Sequence, residues 1–321
     1  MPVRLARLLV ALLLALGVPG VARAASYCTV SNPAFTFQPS SSYDVQAQTI
    51  PAINGSAGLT CNASAIALLG TNYANATMTS ANGFKLLTGP GSDAIPFSVS
   101  ADQAGTIPFT QGGTVNYTDS ALLSLGILTG GTFTPKMYMK LSAGPNVAAG
   151  TYTDTLTVAW SWNICIVAVV VCVTSDTGTG TSTIVVTLKV NADCKITAND
   201  VSLGSAPLAS QFGMATKAVL TDCTRGSTYQ VSFTAGGNNS ARPWRAMTDT
   251  GGHSLQYNIY LPDGVTIWDQ SNPQTNQANS GKGTGLVSPA QQQTYKIGVN
   301  PAQTTPPAGH YTDTVSVVLS F

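Results

Sequence analysis

Residues 148–162 read "AAGTYTDTLTVAWSW" and residues 307–321 read "PAGHYTDTVSVVLSF". They share the core G-x-Y-T-D-T-[LV]-[ST]-V at an offset of 159 residues, and this internal repeat decides the fold. Both copies alternate with period two. In the first, Tyr152, Leu156, Val158, Trp160 and Trp162 lie on one face, with Thr153, Thr155, Thr157 and Ser161 on the other. In the second, Tyr311, Val315, Val317, Leu319 and Phe321 repeat the apolar face. That alternation predicts half-buried antiparallel strands. The repeat predicts two related β-sandwich domains in tandem, residues 25–190 and 191–321, meeting near Val190 to Cys194.

The composition agrees. Charged residues are only 8% of the 321, against roughly 25% in ordinary globular proteins. Ser, Thr, Asn, Gln and Gly take their place, β-branched residues abound, and long amphipathic helical patterns are missing, so the class is all-β. Residues 1–24 form a secretory signal peptide: Arg4 and Arg7 precede the apolar "LLVALLLALGV", and Ala22-Arg23-Ala24 places cleavage before Ala25. No later apolar run approaches the ~18–20 residues that span a bilayer. Removing Arg4, Arg7 and Arg23 takes the formal charge from +1 to −2, which argues against a nucleic-acid partner.

All six cysteines lie after the signal peptide. An even count in an exported chain predicts three disulfides. Six cysteines allow fifteen connectivities, and the spacing suggests one of them. Cys28/Cys61 and Cys194/Cys223 are 33 and 29 residues apart, and Cys165/Cys172 close a short stretch. No CxxC pair and no His at metal-ligand spacing competes, so neither a metal nor another cofactor is expected.

The two copies of the repeat have different successors. After the first comes a hairpin-like stretch, then "STIVVTLKV", in which Ile184, Val186, Leu188 and Val190 alternate with Thr187 and Lys189 as one more strand. The second copy has no such successor in the sequence. If the domains share a topology, the C-terminal one lacks its last strand and its core is open along an edge. One remedy is a strand donated by another chain.

The paired cysteines, "LQYNIYLPDGVTIW" and the terminal "GHYTDTVSVVLSF" resemble the spore coat protein U domain family, which includes pilins of Csu-type archaic chaperone–usher pili. Two such domains in this order resemble the family's tip adhesins, an adhesin domain followed by a pilin domain. The resemblance implies immunoglobulin-like sandwiches, a periplasmic chaperone capping the open groove, an outer-membrane usher, and donor-strand exchange with the adjacent pilin. It implies export through the periplasm to the cell surface, and attachment to abiotic or host surfaces through apolar finger-like loops. Tyr311, Val315, Val317, Leu319 and Phe321 would line the donor-strand groove. Only Ala25, Ser26 and Tyr27 would precede Cys28 after cleavage, too few for a donor strand of roughly ten residues. The subunit is thus expected to accept a strand without giving one, which places it at an end of the polymer.

Immunoglobulin-like lettering puts strand A near Cys28, B up to Cys61, C at 77–87, D at 107–117, E at 133–141, F at 151–162 and G at 183–190. Three connections then meet at one pole, and all are apolar. "ASAIALLG" carries Ile66, Leu68 and Leu69, and "SALLSLGILTGG" carries Leu122, Leu123, Leu125, Ile127 and Leu128. "NICIVAVVVCVTS", residues 163–175, carries Ile164, Ile166, Val167, Val169, Val170 and Val171 between Cys165 and Cys172 or beside them. The corresponding connections in the second domain, "TRGST" and "DQSNPQTNQANSGKGTG", are polar. Two readings of the apolar runs compete: strand or short helix over the core, and an exposed surface-binding pole. The disulfide closing 165–172 favours exposure, because it stiffens a hairpin apex and lowers the ordering cost of contact. Each aliphatic side chain buried against an apolar surface contributes about 1.5–3 kcal/mol gross.

A lectin-like tip is the alternative, with Tyr73, Tyr117, Tyr138 and Asp119 near the pole or the strands feeding it, although core or rim packing explains these residues better and no spacing specifies a sugar site. A structural coat or matrix subunit is another. An enzyme is not expected: the sequence has two histidines, His253 and His310, no G-x-S-x-G, and "SGKGTG" lacks the G-K-[ST] of a phosphate loop. Asp154 and Asp313 occupy equivalent repeat positions, which points to a shared hydrogen-bonding role.

Overall fold

The computed structural model describes residues 27–62, 72–89, 93–123, 128–129, 131–144, 146–168, 172–238, 243–275, 281, 283–285 and 290–321. The signal-peptide expectation lies outside them. The N-terminal part runs β1 (Cys28–Val30), β2 (Ala34–Thr36), β3 (Ser40–Ser41), a short helix Ser42–Ala47, β4 (Ile53–Ser56), β5 (Leu59–Asn62) and β6 (Tyr73–Ser80). It continues with β7 (Lys85–Leu87), β8 (Ala94–Ser100), β9 (Thr114–Asn116), a helical turn Ser120–Leu123, β10 (Leu128–Thr129), β11 (Thr132–Phe133) and β12 (Lys136–Leu141). Two long strands close it, β13 (Gly150–Ala168) and β14 (Cys172–Asn191). The C-terminal part comprises β15 (Cys194–Thr197), β16 (Ala215–Cys223), β17 (Gln230–Phe233), β18 (Arg245–Thr248), β19 (Ser254–Tyr260), β20 (Gln291–Val299) and β21 (Val317–Ser320).

The class is all-β, with two immunoglobulin-like sandwiches in tandem. In the first, a sheet ordered β1-β5-β11-β10 faces a larger one ordered β2-β14-β13-β7-β8-β12-β4, with β6 also on β13 and β9 on β6. β13 carries the first copy of the repeat, and its alternation becomes burial. Tyr152, Leu156, Val158, Trp160 and Trp162 are all core residues, and Ile184, Val186, Leu188 and Val190 of β14 join them. Tyr117 packs on Trp160, ring centroids 5.8 Å apart, and donates its hydroxyl to the Lys136 carbonyl at 2.9 Å. In the second sandwich, β15-β16-β20-β19-β18 forms one sheet and β17-β21 the other. Disulfides Cys28–Cys61 and Cys194–Cys223 each join cross-strand partners, β1 to β5 and β15 to β16.

The repeat extends to hydrogen bonding. Tyr152 donates to the Ala148 carbonyl at 2.8 Å, and Tyr311 to the Pro307 carbonyl at 2.7 Å. Asp154 accepts from Ser80 Oγ (2.5 Å), Asn82 N (3.1 Å) and Thr155 N (2.8 Å). Asp313 accepts from Tyr257 OH (2.6 Å), Gly237 N (2.9 Å) and Thr314 N (2.8 Å). Each carboxylate therefore bonds its own following amide, a second amide from another segment, and a hydroxyl.

The strand expectations need four corrections, and the first is that the run read as strand E is two strands in different sheets, β11 and β12. The run read as strand C is two strands, β6 and β7, because Gly83 (φ 63°) and Phe84 (φ 59°) turn the chain between them. β8 has no counterpart among the expected strands, and of the segment read as D only Thr114–Asn116 is strand. β13 and β14 also run far into the segment read as the F–G loop, since pairing continues to Ala168↔Cys172.

The two parts touch through polar groups. Tyr43 donates to the Asp222 main-chain carbonyl at 2.6 Å, Ser42 Oγ and Thr224 Oγ1 are 3.0 Å apart, and the Lys195 ammonium lies 4.2 Å from the Tyr43 ring centroid. Asp93 and Arg225 form an ion pair, and the Asn146 amide donates to the Thr284 and Gly285 carbonyls. Asp222 is 5% exposed, and neither carboxylate oxygen has a hydrogen-bond partner among the described residues. Burial pushes its carboxyl above the usual range, opposed by the nearby Tyr43 hydroxyl and the Lys195 charge. The Tyr43 proton goes to the main-chain oxygen, so the carboxylate keeps its desolvation cost.

A folded-state pKa above the unfolded one makes Asp222 progressively destabilising as pH rises from about 4 through that folded value. Asp222→Asn, which keeps the shape and removes the charge, is expected to raise the melting temperature at pH 7 by a few degrees, since an unpaired buried carboxylate costs more than an unpaired amide by roughly 1 kcal/mol. The gain should shrink towards pH 4. Thermal melts at both pH values check it, and an equal gain at both would sink the charge argument.

Candidate functional site: an open strand edge and a long hairpin

The 159-residue offset allows the two copies of the repeat to be compared position by position. Val158 in β13 pairs with Met78 of β6 on one side and Ser182 of β14 on the other. Its counterpart Val317 in β21 pairs with Phe233 of β17 on one side. On the other side β21 has no partner strand among the described residues. The burial agrees. Leu156, Val158 and Trp160 are at most 2% exposed, whereas Val315, Val317 and Leu319 are half-buried. Those three pack on a core that includes Val231, Phe233 and Trp268. In the first domain β14 covers the equivalent row, and in the second no described strand does.

The five positions expected to line a groove do not act as one row. Val315, Val317 and Leu319 share the Trp268 core, while Tyr311 belongs to a separate cluster with Ala209, Leu255 and Val299. Phe321 is 65% exposed. Sequence alternation could not separate Tyr311, because its strand parity is the same and it makes the same carbonyl bond as its counterpart Tyr152.

Beneath this edge lies a side chain that pattern reading missed. Arg245 is 3% exposed and donates from Nε to the Thr234 carbonyl (2.9 Å), from Nη1 to Asn258 Oδ1 (2.6 Å) and from Nη2 to the Trp268 and Phe233 carbonyls (3.1 and 3.4 Å). It fastens the C-terminal end of β17 to β18 and β19. The only sequence signal was a charged residue in a chain with few of them.

At the opposite end of the repeat, β13 and β14 project as a paired hairpin. Its ladder shifts register between Cys165 and Val167 and again before Ala168, and disulfide Cys165–Cys172 closes it with Cα atoms 5.7 Å apart. Two residues expected on an exposed pole are core. Ile164 is fully buried because it continues the inward row of Trp160 and Trp162, and Leu122 is 1% exposed because the turn Ser120–Leu123 folds it inward. Of Ile166, Val167 and Leu128 only the backbone is described: Ile166 lies in β13, Val167 pairs with Thr174 and Leu128 with Phe133. The expectations on Ile66, Leu68, Leu69, Leu125, Ile127, Val169, Val170 and Val171 lie outside the described residues. Tyr117 is core, Tyr73 and Tyr138 are half-buried, and Asp119 accepts from the Asn116 side-chain amide at 3.1 Å.

Among the described residues no group of three or more His, Cys, Asp or Glu is placed to hold a metal ion, and no helix is long and apolar enough to cross a membrane. His253 Nδ1 lies 2.8 Å from Asp249 Oδ2. That bond, ahead of smaller contributions, holds the Asp249 carboxyl below the usual range.

Comparison with solved structures finds similarity to a chain of the chaperone–tip adhesion subunit pre-assembly complex CsuC–CsuE from the archaic chaperone–usher Csu pili of Acinetobacter baumannii. Identity is 21%, the match covers 92% of this chain and 100% of that one, and the TM-score is 0.62. The CupB6 tip adhesin of Pseudomonas aeruginosa (12% identity, 92% and 95% covered, TM-score 0.33) is a more distant match. So is CfaE, the adhesive subunit of CFA/I fimbria of enterotoxigenic Escherichia coli (12%, 92% and 93%, 0.34). Among curated proteins, none matches. The Spore Coat Protein U domain matches twice, over residues 15–159 and 180–318, leaving the distal half of the hairpin between the two matches. The chain belongs to the Spore Coat Protein U domain family and carries two copies of its domain in tandem.

Proposed function

We propose that this chain is the tip adhesin of an archaic chaperone–usher pilus. Residues 25–190 act as the adhesin domain and 191–321 as the pilin domain. The single observation that carries the reading is the one-sided pairing of β21, against the two-sided pairing of its counterpart β13. A strand from an adjacent pilin completes that edge in the fibre, and a periplasmic chaperone holds it before an outer-membrane usher assembles the subunit. The similarity to the Csu complex of a chaperone with a tip adhesion subunit supports these partners. Export through the periplasm to the cell surface belongs to the same reading, with attachment and biofilm formation as the outcome.

The adhesive surface is the tip of the β13–β14 hairpin, around Ile166 to Val171, with the apolar connections 63–70 and 123–128. Two features support it. The apolar run belongs to the first repeat alone, and residues 160–179 fall outside both family matches, as an addition for a separate task would. The chemistry is non-directional burial of aliphatic side chains, which suits varied apolar surfaces.

The test is adsorption of the full exported chain to hydrophobic and hydrophilic plastic, wild type against Val167→Ser/Val169→Ser/Val170→Ser, with near-UV circular dichroism as the folding check. A selective loss of about tenfold or more on the hydrophobic surface is expected, as several buried aliphatic side chains would be lost. Equal adsorption by a folded variant removes the hairpin from the mechanism, and a variant that does not fold assigns the stretch to the core.

A further inference from the structure

The outer edge of β14 is paired over only part of its length. Ala34–Thr36 run parallel to Val185–Thr187, and Ser40–Ser41 lie beside Val190 and Asn191. Asn32 Oδ1 accepts the Thr183 amide at 2.8 Å, and β1 on the other side of Asn32 belongs to the opposite sheet. Before Thr183, no strand covers this edge of Cys172–Ser182 among the described residues. Strand geometry says which groups face the vacancy. The Thr187 carbonyl and the Thr183 amide both point to the β2 side. By alternation the N–H and C=O groups of Ser175, Thr177, Thr179 and Thr181 point the same way.

Natural edges are usually blunted by Lys, Pro or a bulge. Residues 174–182, "TSDTGTGTS", hold no Lys, Arg or Pro, and from Ser175 onward their register against β13 is unbroken. Gly178 and Gly180 thin the inner face: a Cβ at Gly178 would meet the Trp162 ring at 2.4 Å, and one at Gly180 would meet Val30 at 2.7 Å. Beside them opens a concavity of ≈ 640 Å³ lined by Tyr27, Val30, Trp162, Asp176 and these glycines. Two residues along the same inner face from Gly178, the Asp176 carboxylate accepts the Cys28 amide at 2.7 Å and is the charged group of the lining.

We propose that this edge binds an extended polypeptide by strand addition, with an inward-facing Asn or Gln of that peptide entering the concavity. Main-chain bonds to residues 175–181 supply affinity without sequence demands. A carboxamide complements the lining, since its NH₂ donates towards the Asp176 carboxylate. An acidic side chain there meets the Asp176 charge and is rejected. The site is separate from the β21 edge and does not depend on the adhesin reading.

The experiment measures binding of a fluorescent Thr-Val-Thr-Asn-Thr-Val-Thr peptide to the full exported chain. It is compared with the same peptide N-methylated at alternate residues, the peptide with Asp for Asn, and a panel of labelled oligosaccharides. Thr179→Pro removes an amide facing the vacancy and leaves the β13 ladder intact, and Thr177→Lys supplies an edge charge. Each variant is expected to weaken binding by about tenfold or more, as is N-methylation. Asp176→Asn, whose amide oxygen can still accept the Cys28 amide, should abolish the preference for Asn over Asp without abolishing binding. Binding unchanged in both edge variants would put the peptide on β21 and overturn the proposal. So would tight binding of an oligosaccharide with none of the peptide, or no binding of any probe.

Discussion

Grafting the chain's own strand Thr183–Val190 after Phe321, through a short Gly/Ser turn, is expected to raise the melting temperature of the C-terminal part by on the order of 10 °C. The expectation rests on the first domain, where this segment covers β13 in antiparallel register and takes Leu156 and Val158 to full burial. In the graft, Ile, Val, Leu and Val from the donor and Val315, Val317 and Leu319 from the acceptor would all lose exposed area. At about 1.5–3 kcal/mol gross for each fully buried aliphatic side chain, together with the new ladder of main-chain bonds, the gain offsets the ordering cost of about 1–2 kcal/mol per donor residue. A control donor with Asp at the four inward positions should give no rise. If the apolar graft left the transition where it was, β21 would not border an unfilled core.

Arg245→Met is expected to cost about 3–5 kcal/mol, since several buried acceptors lose their donor at about 1–3 kcal/mol each, and Arg245→Lys most of that, read as the shift in denaturation midpoint of the full chain. Methionine keeps the volume of the stem but leaves the carbonyls of Phe233, Thr234 and Trp268 buried without their donor. Lysine is a single point charge and cannot reach three carbonyls and Asn258 Oδ1 at once. The loss should propagate to the open edge, because β17 supplies the ladder on which β21 lies. In the Arg245→Met background the grafted donor should therefore raise the melting temperature less than in wild type. A midpoint unchanged by Arg245→Met would mean that water or a neighbouring group satisfies those carbonyls, and would remove the residue from this role.

Strand alternation was the legible part of the chain. β13 places its whole apolar row inward, and in the second copy Val315, Val317 and Leu319 turn to the core at the same parity, because a two-residue period admits one burial solution. Cysteine spacing was legible for a similar reason, since Cys28 and Cys61 oppose each other across β1 and β5. The strand around Pro96 was hidden because proline argues against a strand, yet β8 tolerates it beside the short strand β7 and uses its carbonyl to accept the Ser142 amide. The break between β6 and β7 was hidden because a left-handed Phe84 comes after Gly83, and nothing in a phenylalanine announces positive φ. Ile164 and Leu122 were misplaced for a general reason: a continuous apolar run does not say where strand ends and loop begins. Arg245 and the unpaired Asp222 carboxylate depend on contacts between segments far apart in sequence, which no local pattern encodes.

β14 is one uninterrupted strand of 20 residues, from the disulfide-closed tip at Cys172 to Asn191, and β15 begins at Cys194. At about 3.3 Å per residue it reaches roughly 65 Å. If the tip holds a surface while the C-terminal domain is anchored in a fibre, tension passes end to end along a single covalent backbone. No hydrogen-bond ladder stands in series with the load. The flanking strands guide β14 sideways, as a sheath does a cable, and the first domain need not unfold for the anchor to hold. Under that condition the mechanical weak point moves out of the first domain, to the contact with the surface or to the joint at β21.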